Sequence, residues 1–319
     1  MGIFDFLFKS KQKNAHPEPK SPQEEIEVSE WDNEYYHISL NEYDYRGKAF
    51  YSPNKKFIAS GNKNRVVFVD VENKTVLFDY DIFKNVDFTS IRVTDHPFIL
   101  VRDIISIGDN LTNDFYILNK RSDIVFRSNV NAHIYCMGIS SDGKYACIQT
   151  CNECEIIVYD IELQKIFHKW IPTINGLTSE INVDPFNMII TLSQYGENFD
   201  YTFKGDFLDQ QKWYEYRKNC SIPTLRLNVA YEIIDALFKT PKNEQLLSDY
   251  QEALSIIDSA LEIGVYDKDR AFAYRKIGEV YDKVVDYKNA LENYKKAISL
   301  NEKVGVKRRI NTLEKIINS

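Results

Sequence analysis

The sequence predicts an antiparallel all-β region followed by an all-helical region, on the basis of three observations. From about residue 34 to 217 the chain consists of short β-branched and aromatic runs separated by Gly, Asn, Asp and Pro, which is typical of strands and turns. Within this region, similar turns recur at a nearly constant spacing. From about residue 225 the apolar residues instead follow the i, i+3, i+4 pattern of amphipathic helices.

The length and the charge of the chain indicate how many domains it forms and which kinds of partner it binds. A chain of 319 residues is long enough for two domains, and an aromatic content of 13% supplies large side chains for their cores. A net charge of -7 and a pI near 5.4 argue against a general nucleic-acid binder, which needs a basic face. Residues 225–319 are nearly neutral, with 16 basic and 15 acidic side chains, so the β region is the acidic half.

The first residues form a short amphipathic head at 1–8, followed by a flexible linker at 9–33. The linker is rich in Lys, Glu, Ser and Pro, and it offers too little apolar surface to offset the entropy lost on ordering. The head could make weak contact with a membrane surface, or it could equally dock on a protein. Its apolar residues are Ile3, Phe4, Leu7 and Phe8.

The recurring turns divide the β region, residues 34–217, into units. Four strands per unit, with turns that recur every 43 to 45 residues, are typical of a β-propeller blade. We therefore expect four or five antiparallel blades, with residues 34–43 and 199–217 supplying strands for a partial fifth. The turn markers, separated by 44, 45 and 43 residues, are Pro53, Pro97, Asp142 and Pro185.

Two of these units resemble the WD-repeat family. They read FYSPNKKFIASGNKNRVVFVDVENKTVLF and GISSDGKYACIQTCNECEIIVYDIELQKIF, in which Val69-Asp70 and Tyr159-Asp160 stand at the family's closing dipeptide. The resemblance covers about 180 residues, and it lacks the family's Gly-His and Trp-Asp pairs. It implies a divergent propeller that presents surfaces for binding other proteins.

Residues 271–301, within a helical domain at 225–319, resemble the tetratricopeptide repeat. The matching positions are small or aromatic, which lets two helix backbones approach while rings fill the space around them. A second match at residues 250–260 repeats the pattern 37 residues earlier. The matching residues are Tyr274, Ile277, Gly278, Tyr281, Asp286, Tyr287, Ala290, Tyr294 and Ala297, and we assign Tyr274, Ile277, Tyr281, Ala290, Tyr294 and Ala297 to the core.

The tetratricopeptide resemblance implies a protein-binding groove. Family members that grip a C-terminal carboxylate carry Asn where this chain has Glu279, so the resemblance does not extend to that ligand. A second interpretation is that the two repeats only cap the β domain by packing on it. The resemblance assigns the groove to Phe272, Arg275, Glu279, Asp282 and Lys283.

Two segments contain residue types that bind metal ions in other proteins. Cys151 and Cys154 form a Cys-x-x-Cys, but a zinc site needs four converging ligands. The interpretation that we favour is a structural one, in which Asn152-Glu153 form a two-residue hairpin turn between two strands. The oxygen-rich run Asp109–Asp114 lacks the Gly and distal Glu of a helical calcium loop, and we interpret it as a solvated loop. We predict no metal and no cofactor.

The sequence contains no catalytic motif, and its five histidines are dispersed. Repeat architectures build surfaces rather than reaction centres. We therefore expect a bacterial, cytoplasmic adaptor or scaffold that binds other proteins and is not an enzyme. A toxin-neutralising immunity or defence-associated protein is the alternative, since a protein of that class would bind one tight partner whereas an adaptor binds several weaker ones.

Overall fold

A computed structural model describes residues 26–32, 35–40, 43–47, 49–62, 64–80, 83, 86, 91–107, 110–240 and 246–318. The chain forms two compact units, one ending at Leu208 and the other beginning at Asp209. Strands make up the regular structure of the first unit and helices that of the second, which confirms the predicted fold class. The head at residues 1–8 and most of the predicted linker lie outside the described residues.

The described residues of the first unit form eighteen strands. They are β1 (Ile26–Asp32), β2 (Tyr35–Leu40), β3 (Tyr43–Gly47), β4 (Ala49–Tyr51), β5 (Phe57–Asn62), β6 (Arg65–Asp70), β7 (Thr75–Tyr80), β8 (Ile91–Val93), β9 (Phe98–Ile107), β10 (Asn110–Asn119), β11 (Ile124–Val130), β12 (Ile134–Ile139), β13 (Tyr145–Thr150), β14 (Ile156–Asp160), β15 (Lys165–Trp170), β16 (Glu180–Asp184), β17 (Ile189–Gln194) and β18 (Glu197–Thr202). These strands pair in chain order into five antiparallel sheets: β1–β3, β4–β7, β8–β11, β12–β15 and β16–β18. This is the meander expected for four or five blades.

All four predicted turn markers lie between the first and second strands of their sheets. Two of these turns also contain equivalent side-chain hydrogen bonds. Ser52 Oγ donates to Asn54 Oδ1 at 2.8 Å, and Ser140 Oγ donates to Asp142 Oδ1 at 2.7 Å. The sequence period therefore reflects a repeated turn, in which a side chain takes the place of a backbone partner.

The sheets differ in how many faces they bury. All five residues of β14 are buried, so the fourth sheet packs on both sides at this strand, whereas its outer strand β15 has no buried residue. In β16, buried Ile181 and Val183 alternate with exposed Glu180 and Asn182. Such alternation is typical of a sheet with one face in solvent. The fifth sheet therefore ends the series of packed sheets with a polar face.

A glycine sets the distance between the fourth and fifth sheets. A Cβ atom on Gly138 of β12 would lie 2.3 Å from the carbonyl oxygen of Ile181 in β16. Buried Gln149 strengthens the same contact region, because its side chain accepts from the backbone N–H of Thr178 at 2.8 Å and donates to the carbonyl of Gly176 at 3.0 Å. The two sheets thus approach backbone to backbone.

The described residues of the second unit form six α-helices. These are α1 (Gln210–Asn219), α2 (Pro223–Phe238), α3 (Gln251–Ile263), α4 (Asp267–Lys283), α5 (Tyr287–Leu300) and α6 (Lys307–Ile317), with a 3-10 turn at Leu247–Tyr250. Helix α2 packs against α3, α4 against α5, and α6 against α5, which gives two hairpins and a closing helix.

The best-matched hairpin, α4 and α5, is held together at a glycine. A Cβ atom on Gly278 would lie 2.8 Å from the ring of Tyr294, which is buried. Asp286 accepts a hydrogen bond from the backbone N–H of Asn289 at 3.2 Å and so caps the start of α5. Of the predicted core residues, Ile277, Ala290, Tyr294 and Ala297 are buried, whereas Tyr274 and Tyr281 are only half-buried.

The structure corrects the predicted linker. Residues 26–32 form strand β1, and Ile26 and Val28 pair with Leu40 and Ile38 of β2. The abundance of Glu and Ser in this segment concealed its alternating apolar residues. A strand here is stabilised by backbone hydrogen bonds to a partner strand that local composition does not reveal.

The structure also moves the domain boundary. Residues 210–219 form α1, although their aromatic residues suggested strands. Trp213 and Tyr216 are three positions apart, and their rings stack at 5.7 Å on one side of the helix. The interval between the predicted β region, which ends at residue 217, and the predicted helical domain, which begins at 225, therefore contains the connection between α1 and α2, inside the helical unit.

We predict that Gly138→Ala destabilises the β unit by about 1–3 kcal/mol, because the added methyl group meets a backbone oxygen that cannot move freely. Urea unfolding measures the loss, and hydrogen exchange locates it at residues 134–184. Tyr135→Ala is the control, since this side chain on the same strand is 47% exposed. A Gly138→Ala variant as stable as the wild type would contradict the close packing of the two sheets.

We predict that the effect of Gly278→Ala depends on Tyr294. Alanine favours a helix over glycine by about 1 kcal/mol, but next to the Tyr294 ring the methyl group overpacks the hairpin. The substitution should lower stability in the wild type and raise it in a Tyr294→Leu background. Thermal or urea unfolding of the four proteins in this double-mutant cycle gives the coupling directly. Additive effects would show that the two residues do not determine the helix spacing.

Candidate functional site

The five predicted groove residues all lie on α4, but the structure separates them into two groups. Phe272 and Arg275 line a cavity near the start of the helix. Glu279, Asp282 and Lys283 lie farther along α4, where Glu279 pairs with Arg275 of the same helix and the other two contact α6 and α2. Phe272 is 39% exposed, which is unusual for a phenyl ring beside a cavity.

Ion pairs engage both predicted carboxylates. Arg275 Nε donates to Glu279 Oε1 at 2.7 Å, and Arg309 Nε of α6 donates to Asp282 Oδ2 at 2.6 Å. The ammonium group of Lys283 lies 5.8 Å from the ring centroid of Phe238 on α2. These contacts stabilise the packing of the helices. Their further use in binding a partner remains a prediction.

The cavity has a volume of about 410 Å³. Its walls come from the first two turns of α2, the first turns of α4 and the connection between α5 and α6. The lining residues are Thr224, Leu227, Asn228, Tyr231, Lys268, Asp269, Phe272, Arg275, Asn301, Lys303 and Val304.

The floor of the cavity is apolar and aromatic. Leu227 and Val304 are buried, and the rings of Tyr231 and Phe272 meet edge to face with centroids 5.2 Å apart. The guanidinium carbon of Arg275 lies 5.7 Å from the Phe272 centroid. The exposed side of the phenyl ring is thus surrounded by polar groups, as in the centre of many protein interfaces.

One polar atom in the floor lacks a partner. The hydroxyl oxygen of Tyr231 is buried and makes no hydrogen bond to any described residue. Burial, reinforced by the negative charge of Asp269, raises the pKa of Tyr231 well above its usual value. The hydroxyl therefore remains a protonated donor, and a buried donor without an acceptor is costly.

Of the eleven residues that line the cavity, sequence reasoning predicted only Phe272 and Arg275. Thr224, Asn228 and Tyr231 lie on one side of α2 at i, i+4 and i+7, and Lys303 and Val304 precede α6. The spacing on α2 was a usable signal, because it places three residues that can form hydrogen bonds on one side of the helix. The contribution of the α5–α6 connection had no local signature.

The cysteine pair of the β unit lies in a longer turn than predicted. The strands end at Thr150 and resume at Ile156, and the backbone N–H of Thr150 donates to the carbonyl of Glu155 at 2.9 Å. Cys151 and Cys154 are therefore both in the turn, with free thiols. Burial raises the pKa of Cys151, which reduces its reactivity as a thiolate.

The predicted solvated loop at Asp109–Asp114 is wrong from residue 110 onward, where β10 begins. Asp114 is buried and ion-paired with Arg127 Nη2 at 2.7 Å. Asn129 Nδ2 donates to Oδ1 of this carboxylate at 2.6 Å, and the Tyr116 hydroxyl donates at 3.2 Å to Oδ2, the oxygen that is paired with Arg127. Burial opposes the charge, but these donors outweigh it and lower the pKa of Asp114.

Within the described ranges, no three His, Cys, Asp or Glu side chains come together as metal ligands would. Among the same residues, no helix combines the length and the apolar content that a membrane crossing requires.

No family model matches the sequence, and no curated protein matches it either. Solved structures similar to the chain include the β-propeller domain of Myceliophteria thermophila Cps50 (Swd1), with 12% identity and a TM-score of 0.36 over 53% of this chain and 66% of that one. Kuenenia stuttgartiensis hydrazine synthase gives 13% and 0.38 over 54% and 66%, and the complex of KlAtg21 with the coiled coil of AgAtg16 gives 10% and 0.42 over 54% and 61%. The chain thus covers less than two thirds of each, and similarity of this extent carries no functional information.

We predict that Asp114 makes the stability of the β unit depend on pH. Because its pKa is lower in the folded than in the unfolded state, the carboxylate contributes stability above the unfolded pKa of about 4. This contribution is lost as the pH falls through the folded pKa. Asp114→Asn should therefore lower stability at pH 7 and flatten the decline between about pH 5 and pH 3, as measured by urea unfolding.

Glu162→Gln serves as the control for this prediction, because Glu162 is an exposed carboxylate in the same unit. Its pH profile should follow that of the wild type. If Asp114→Asn retained the full wild-type pH dependence, the ion pair with Arg127 would not be responsible for it.

Proposed function

We propose that the protein is a cytoplasmic scaffold whose helical unit binds a segment of a partner protein. The observation that carries this proposal is the cavity between α2 and α4, which presents an incompletely buried phenyl ring on a polar-rimmed surface. The tetratricopeptide-like pattern of α4 and α5 supports the same assignment. The propeller-like unit would supply a further surface of the scaffold.

Phe272 is the expected contact for an apolar side chain of the partner. Its ring already packs on Tyr231 on one side, so a ligand would cover the side that remains in water. Burial of apolar area stabilises a complex by about 25 cal/mol per Å². Aromatic residues in this setting often dominate the binding energy of an interface.

The walls of the cavity are held in place before any partner binds. Arg275 Nη1 donates to the carbonyl of Val304 at 3.0 Å, which ties α4 to the connection before α6. At the other wall, Arg226 of α2 donates to Ser259 Oγ of α3 and to the carbonyl of Asn219, both at 2.9 Å. A preformed surface loses little conformational entropy on binding.

The proposal predicts that the full-length protein selects short peptides from a random phage-displayed library. Phe272→Ala should weaken binding of the selected peptides by about tenfold or more, because it removes the central apolar contact. Fluorescence polarisation with the synthetic peptides measures the affinities. Phe186→Ala is the matched control, since Phe186 in the β unit is 86% exposed and lies outside the helical unit.

Two results would contradict the proposed function. One is a library selection that enriches no peptide on the wild-type protein. The other is a set of enriched peptides that bind Phe272→Ala and the wild type equally well. Thermal unfolding of Phe272→Ala should accompany the affinities, so that lost binding is not confused with lost folding.

A further inference from the structure

The charges around the cavity are unequal once internal ion pairs are considered. Lys268 and Lys303 are exposed, and neither ammonium group has a carboxylate partner among the described residues. Arg275 is a third cation, compensated by Glu279. Asp269 is the only carboxylate among the residues that line the cavity.

The carboxylates that the sequence assigned to the groove do not change this balance. Glu279 accepts from Arg275 and also lies 3.3 Å from the ammonium group of Lys276. Asp282 is paired with Arg309 of α6. Both negative charges are therefore neutralised within the helical unit. Among the charges that line the cavity without an ion-pair partner in the described residues, two lysines outnumber the single carboxylate of Asp269, so the excess charge beside the exposed phenyl ring is positive.

The cavity also presents hydrogen-bond donors without acceptors. The buried Tyr231 hydroxyl has no partner in the described part of the chain. The first turns of α2 and α4 border the cavity, and their N-cap residues, Ile222 and Tyr266, provide no side-chain acceptor. The first N–H groups of a helix have no acceptor within the helix, and the positive end of the helix dipole favours an anion there. In α4 the first turn already carries Asp267 and Asp269, whereas the first turn of α2 has no acidic residue.

We infer that the cavity recognises an acidic side chain, Asp or Glu, next to an apolar residue in the partner segment. The apolar residue covers the Phe272 ring, while the carboxylate faces Lys268 and Lys303 and accepts a hydrogen bond from Tyr231. This inference rests on the proposed function and specifies its ligand. A carboxylate supplies acceptors only, which matches the Tyr231 hydroxyl and the two unpaired lysines, although it must lie away from Asp269.

The test compares synthetic peptides that differ in one atom group. Each library-selected peptide is made with Glu or with the isosteric Gln at its acidic position, and both versions carry an acetylated N-terminus and an amidated C-terminus. Fluorescence polarisation with the full-length protein should show the Glu peptide binding about tenfold more tightly, and added salt should reduce this difference.

Three variants locate the preference. Lys268→Gln combined with Lys303→Gln should remove most of the preference for Glu, and Lys268→Glu combined with Lys303→Glu should reverse it toward peptides that carry Lys. The control, Lys288→Gln combined with Lys315→Gln, changes the net charge equally at exposed lysines outside the cavity. It should leave the preference unchanged.

Tyr231→Phe tests the hydroxyl alone. It should reduce the preference for Glu without lowering stability, because it removes a buried donor that has no acceptor in the unbound protein. Binding of the Gln peptide should be unaffected. A merely structural role of Tyr231 would instead change both peptides alike.

The outcomes separate this inference from the proposed function. Selected peptides that bind equally well with Glu and Gln would overturn the inference and leave the groove as a peptide site. A preference that follows a free C-terminal carboxylate instead of a side chain would overturn it as well. A protein that binds no peptide would overturn both the inference and the proposed function.

Discussion

In both units the spacing of packed elements depends on a position without a side chain. At Gly138 two sheets approach so closely that one strand's backbone occupies the place of a Cβ atom, and at Gly278 the ring of Tyr294 occupies it. Since protein interiors are close-packed, a methyl group at either place requires the neighbouring element to move. The spacing between α4 and α5 follows from the contact of Gly278 with Tyr294.

The ion pairs of the helical unit divide its charged residues into two classes. Arg275, Glu279, Asp282 and Arg309 satisfy one another across α4, α6 and the connection before α6. Such pairs position helices more than they contribute to net stability, because exposed pairs are worth little. The charges in the cavity that these pairs leave available to a ligand are Lys268, Lys303 and Asp269, with lysine in excess. The polarity of the groove is thus decided by which carboxylates the fold neutralises.

In the β unit, the last sheet in chain order has one apolar face and one more polar face. Interior sheets such as the fourth are buried on both sides, and β14 contains no polar residue until Asp160 at its end. The fifth sheet alternates buried and exposed residues, so only one face needs a neighbour. Terminal units of repeat proteins commonly have a polar outer face, which keeps them soluble.

The sequence by itself determined the order of β and helical regions, the recurring turns and most of the hairpin core, because these depend on local periodicity and on residue size. It predicted that Phe272 and Arg275 belong to a groove, through resemblance to a repeat family. Only the tertiary structure decided that β1 lies in the supposed linker, that α1 is helical, and that Tyr231 and Lys303 complete the cavity. Strand pairing, ion pairing and cavity walls join residues that are distant in the chain, and no local pattern specifies such partners.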